Sequence, residues 1–140
     1  IPTIISQALQ GKKEIKLGNL NSSRDFTYVL DMVEGIYKIG LNDKTIGEVI
    51  NIANGKDISI YKTASIINKL INDDINIKTK VISKRVRPEK SEVQRLIGDY
   101  SKAHKLSGWK PCYTLEEGLE KTIAWFRENL NIYKEGIYNI

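Results

Sequence analysis

The sequence predicts an α/β chain, and three observations carry that prediction. A short amphipathic helix runs into "EIKL", a β-branched run "GEVINIA" leads to a capped amphipathic helix, and that helix is followed by the alternating segment "INIKTKVI". Length and apolar content suit one compact domain, with enough Ile, Leu and Val to build a core.

Each element follows from local chemistry. Pro2 suits a first helical position, Ile4, Ile5, Ala8 and Leu9 form one apolar face, and Gly11 lies just past the end. "EIKL" reads as a short strand. A polar loop precedes "RDFTYV", after which Asp31 and Glu34 make a capping-box pattern for a helix over "MVEGIYKI", closed by Gly40. Gly35 falls inside that helix, where glycine lowers stability by about 1 kcal/mol relative to alanine, so it predicts close approach by another element.

"GEVINIA", between Gly47 and the Asn54-Gly55 turn, has the strongest strand composition in the chain. Its apolar character asks for neighbours on both sides, yet the chain offers few strands to pair with it. Ser59 is the expected N-cap of a helix that places Ile60, Ala64, Ile67 and Ile71 on one face. "SKAHKLSGW" predicts a short helix ended by Gly108, and Thr114 with Glu117 caps a longer one carrying Leu115, Leu119, Ile123, Phe126 and Leu130. There is no internal repeat or low-complexity linker. Residues 1–130 form the expected structural unit and 131–140 a tail without clear period.

Charge and composition narrow the function. A net charge of +5 favours an anionic partner without choosing among nucleic acid, a membrane surface and a phosphorylated small molecule. The lysines are spread along the chain, and only "KTKVISKRVRPEK" is dense. No apolar run can span a bilayer and no signal-peptide pattern opens the chain, so a soluble, cytoplasmic protein is expected. Opening on Ile1-Pro2, the chain reads as a piece of a longer one. A single cysteine, Cys112, and a single histidine, His104, give neither an internal disulfide nor a zinc-ligand spacing, so no metal is expected. Asn21-Ser22-Ser23 matches a glycosylation sequon but reads as a polar turn.

No catalytic constellation stands out. Glycine-rich phosphate loops, a GxSxG elbow and YxxxK are all missing, and neither Cys112 nor His104 has an obvious helper. Basic residues at the ends of ordered elements remain. The planar fork of arginine matches phosphate oxygens bidentately, and Arg24 and Arg87 both sit at such junctions, with Pro88 fixing the backbone after Arg87. Taken singly, each would more commonly be a surface ion-pair residue.

In context, the order "IPTIISQALQGKKEIKLGNLNSSRDFTYVLDMVEGI", "GEVINIANG", "RVRPEKSEVQRLIGDYSKAHKLSGWKP" and "TLEEGLEKTIAWFREN" resembles the C-terminal half of the extended short-chain dehydrogenases/reductases. These are the NAD-dependent nucleotide-sugar epimerases and dehydratases, and within them the chain looks most like the sugar-nucleotide 4,6-dehydratases, including those of nonulosonic acid pathways. The resemblance implies an NAD(P)-binding Rossmann-type fold lacking its N-terminal dinucleotide-binding segment. NAD, the catalytic Tyr-x-x-x-Lys and its Ser or Thr would belong to that absent half, and this chain alone would be inactive.

By motif, the resemblance places Arg24 and Arg87 on the diphosphate of a nucleoside-diphosphate sugar, with main-chain contacts to the base around Lys16, Leu17 and Gly18. It leaves the roles of Glu92 and Arg95 open. Asp25, Phe26 and Tyr28 would order the junction, Asp31 would be the helix cap, and Trp109 and Trp125 would serve packing. The implied chemistry is oxidation at sugar C4, then dehydration or epimerisation. The implied partners are the missing Rossmann half, which would pair with "GEVINIA", and a second copy in a homodimer. The alternative is a stand-alone basic nucleic-acid-binding or interaction module.

Overall fold

The computed structural model describes residues 1–72, 78–83 and 91–132. Helix α1 (Pro2–Leu9) is followed by β1 (Glu14–Leu17), β2 (Ser23–Asp25) and α2 (Val29–Gly40). After a 3-10 turn at Asp43–Thr45 come β3 (Asp57–Ser59), α3 (Ile60–Ile71), β4 (Lys78–Val81), β5 (Arg95–Leu96), α4 (Ser101–Ser107) and α5 (Leu115–Glu128). Among the described residues no helix is long and apolar enough to cross a membrane.

The strands form two small sheets. β1 and β4 pair in parallel, while β2 lies between antiparallel β3 and parallel β5. Helices α1, α3 and α5 pack on one another and bury the apolar faces that the sequence periodicity marks. Ile4, Ile5 and Ala8 meet Ala64, Ile67, Leu119, Ile123 and Phe126, and the alternating Ile15 and Leu17 of β1 face the same core. Ser59 accepts from the Lys62 N–H as the α3 cap, and Thr114 and Glu117 form the full capping box of α5.

A second packing centre lies under α2. Trp109 is fully buried, and its indole N–H donates to the Asp31 carbonyl at 3.0 Å. A Cβ at Gly35 would come within 3.0 Å of both Trp109 Cε2 and Ile52 Cγ2, which is the close approach expected of that glycine.

Three expectations are corrected. Helix α2 begins at Val29 with Tyr28 as an N-cap that supplies no side-chain bond, and Asp31 is no cap. Its buried carboxylate instead accepts the Cys112 N–H (3.0 Å) and the Tyr113 N–H (3.1 Å), tying the loop before α5 to α2. "GEVINIA" is not a strand: residues 48–54 have no ladder partner among the described residues, and Val49 is 85% exposed. A strand needs a neighbour to satisfy its backbone groups, and β-branched composition alone does not provide one. Trp125, expected to pack, is half-exposed beside Phe126. Of "INIKTKVI" only β4 and Ile82 are described, and of the tail only residues 131 and 132.

Candidate substrate-binding site

The three-stranded sheet is held by two carboxylates on one face. Strand alternation puts Ser23 and Asp25 on that face and Arg24 on the other. Asp25 accepts the N–H groups of Asn54 (3.0 Å), Gly55 (2.8 Å) and Gly98 (3.2 Å), gathering three separate segments around the end of β2. Asp57 accepts the Ser23 hydroxyl at 2.6 Å and a two-pronged bond from Arg95, Nε at 3.0 Å and Nη2 at 2.8 Å. Those bonds, Arg95 first and Ser23 second, hold the Asp57 carboxyl well below the usual carboxylate range. Arg95 therefore acts as a cross-tie between β5 and β3.

Arg24 reaches across to the segment entering β5. Its Nη1 donates to the carbonyls of Ser23 and Val93, each at 2.7 Å, and its Nη2 to Glu92 Oε1 at 3.2 Å. Its side chain is 23% exposed, against 8% for Glu92. Main-chain pairing fixes the same contact, since the Ser23 N–H donates to the Gln94 carbonyl at 2.8 Å. The side chain is thus held at both ends of its reach.

The remaining expected residues are less converged. Arg87 lies outside the described residues. Lys16 and Leu17 belong to the other sheet, joined to β2 by the loop 18–22. The Lys16 N–H donates to Gln7 Oε1 (2.9 Å) and Gln7 Nε2 donates to the Lys16 carbonyl (3.2 Å). The Leu17 carbonyl accepts from Ile82 and its side chain is buried. Their main-chain groups are committed internally, and half-buried Gly18 is the one of the three without such a commitment among the described residues.

Two hollows flank the sheet. A cavity of about 430 Å³ is walled by Phe26, Tyr28, Leu115, Lys121 and Trp125, and an open groove of about 840 Å³ by Phe26, Lys56, Lys62, Tyr100 and Tyr113. Arg24 lines neither of these two hollows, and its side chain is partly exposed. Cys112 is an exposed free thiol whose Sγ lies 3.6 Å from the Lys110 carbonyl, and His104 is exposed on α4. Asp31, Glu34 and Cys112 gather within 4.8 Å, but Asp31 is satisfied by main-chain donors and Glu34 pairs with Lys38.

Sequence reasoning missed Asp57 as a sheet tie and Glu92 as the partner of Arg24. Both partnerships span long stretches of sequence, and no local pattern announces either.

Comparison with known proteins agrees with this architecture. Residues 1–122 match the family model described as GDP-mannose 4,6 dehydratase. UDP-glucuronate 4-epimerase of Thermodesulfobacterium geofontis is 35% identical over 126 residues, covering 88% of this chain and 36% of that protein. An epimerase of Methanothermobacter thermautotrophicus aligns with a TM-score of 0.79 at 30% identity, over 94% of this chain and 38% of that one. UDP-glucuronic acid 4-epimerase of Bacillus cereus, solved with UDP-glucuronic acid and NAD, aligns with a TM-score of 0.79 at 28% identity, over 91% and 39%. The chain spans about a third of the length of the curated relatives it matches.

Proposed function

Because the chain belongs to the GDP-mannose 4,6 dehydratase family, we propose that it is the nucleotide-sugar-binding portion of an NAD-dependent epimerase or dehydratase of the extended short-chain dehydrogenase/reductase class. The observation that supports this most is Arg24. A guanidinium has five N–H donors, and its described bonds use three, leaving Nε–H and one Nη2–H to grip a phosphate. Arg87 and the main chain of Gly18 complete the assignment as the second phosphate arginine and a contact to the base. The chain's part in the reaction is to hold and orient the diphosphate so that the sugar meets the reacting groups in one pose.

The described strand-to-helix turns carry no glycine-rich dinucleotide loop: β2 reaches α2 through Phe26, Thr27 and Tyr28, β3 passes straight from Ser59 into Ile60, and the β5-to-α4 turn holds one glycine, Gly98, packed against Ala53. NAD and its chemistry belong, in this reading, to the portion of the relatives that the chain does not span. That portion also supplies a cover for the exposed apolar side chains of α2, Val29, Leu30, Val33, Ile36 and Tyr37, and a ladder partner for residues 48–54. We place the intact enzyme in the cytoplasm as a homodimer.

The test is Arg24→Ala in the intact protein, assayed with UDP-glucuronic acid, GDP-mannose and dTDP-glucose. Loss of two charge-assisted bonds, about 2 kcal/mol after relaxation, predicts a rise in KM of some thirtyfold for whichever is turned over. An unchanged KM refutes the assignment.

A further inference from the structure

We infer that Glu92 is the positioning residue of the diphosphate site, which sets the direction of the Arg24 guanidinium and does not itself touch the phosphates. The inference rests on the proposed function and goes beyond it by assigning a role to an acid that the binding of an anion alone would not call for. A carboxylate beside a phosphate-binding arginine is unfavourable for the anion, so its presence needs a reason. Here the side chain of Glu92 is 8% exposed, more enclosed than the arginine it faces, and its Oε1 accepts from Arg24 Nη2 at 3.2 Å. A surface pair of that length would contribute little, whereas an enclosed acid that kept no partner would be strongly destabilising.

Three donors of Arg24 go to fixed acceptors: the Ser23 carbonyl, the Val93 carbonyl and Glu92. The two carbonyls hold only Nη1. The guanidinium is a rigid plane, so the bond from Nη2 to Glu92 at its other corner adds a third anchor against rotation of the whole group about Nη1. The unused Nε–H and Nη2–H then point one way before any ligand arrives, so the rotamer entropy of a long side chain is lost on folding and not on binding. Because the described bonds leave two donors unspent, the diphosphate can add to the Arg24–Glu92 pair without displacing it.

The experiment is calorimetric titration of the intact protein with UDP, GDP and dTDP, and with the matching nucleosides as phosphate-free probes, on Glu92→Ala, Glu92→Gln, Arg24→Ala and the double variant Arg24→Ala/Glu92→Ala. Glu92→Gln keeps an acceptor oxygen in nearly the same shape. Glu92→Ala is expected to weaken the preferred nucleoside diphosphate by about tenfold, with Glu92→Gln within about threefold of the wild type and nucleoside affinity unmoved. In the Arg24→Ala background, Glu92→Ala should change nothing further. Unchanged or tighter diphosphate binding by Glu92→Ala, with Arg24→Ala weak, overturns the positioning role alone. So does an equal loss from Glu92→Ala when Arg24 is already gone. Wild-type affinity in Arg24→Ala overturns the diphosphate site itself. A Glu92→Ala protein that fails to fold leaves Glu92→Gln to decide, since a loss as large as that of Arg24→Ala would mean that acceptor geometry is not what matters.

Discussion

Replacing Asp31 should separate its role as a buried clamp from that of a helix cap. Its carboxylate is fully enclosed and accepts two main-chain N–H groups, from Cys112 at 3.0 Å and Tyr113 at 3.1 Å. Hydrogen bonds to a charged acceptor contribute roughly 1.5–3 kcal/mol each, and Asp31→Ala leaves both donors stranded. Relief from burying a charge offsets part of that loss, so a net destabilisation of about 3 kcal/mol is expected. Asp31→Asn keeps one acceptor oxygen but presents an NH2 to the other donor, and should lose about half as much. In urea, with a slope of roughly 2 kcal/mol per molar, the alanine variant of the intact protein should unfold about 1.5 M earlier than the wild type. Tryptophan emission is a direct probe, because the indole of Trp109 donates to the Asp31 carbonyl. An alanine midpoint within about 0.5 M of the wild type would refute the clamp, since losing a helix cap typically costs about 1 kcal/mol, which is about 0.5 M at that slope.

Two further outcomes follow from the sheet that carries Arg24. A Cβ at Gly98 would lie 2.3 Å from the Cβ of buried Ala53, so Gly98→Ala should destabilise by about 1–3 kcal/mol and lower Tm; Ala53→Gly in the same chain should recover part of the loss, and no recovery would point away from that clash. For Asp57, the folded-state pKa is depressed by Arg95 and Ser23, so its stabilising contribution is present above the ordinary aspartate pKa of about 3.9 and is lost as pH falls through the lower folded value. The Tm difference between wild type and Asp57→Asn should therefore be constant above about pH 5 and close in acid, and a difference that stays flat down to pH 2 would exclude the ion pair as its source.

What the sequence makes legible here is what depends on near neighbours. Helices α1, α3 and α5 announce themselves by apolar spacing, and Ser59 and the Thr114–Glu117 box set their starts within a few residues. Gly35 is legible too, because a glycine inside a helix asks for a neighbour, although the neighbours, Trp109 and Ile52, cannot be named from the pattern. Asp31 misleads because D-x-x-E spacing is a local sign of a cap while its real partners lie some eighty residues away at Cys112 and Tyr113. Strands β2, β3 and β5 have two or three residues each, too short for any period to show, and exist through cross-strand bonds and the Asp25 and Asp57 ties. The site follows the same division: Arg24 stands out as an arginine at a junction, but the acid that faces it comes from a distant loop.

The side chain of Gln7 has a consequence for how the two-stranded sheet meets its surroundings. Its amide gives Lys16 one donor and one acceptor, the same pair that a residue of an adjoining strand would offer. A glutamine on α1 thus imitates a single rung of a ladder and occupies β1 on the side away from β4. A stray extended peptide from another molecule finds that rung taken, so growth of this sheet into an intermolecular one is blocked at Lys16 by a side chain already anchored in the helix.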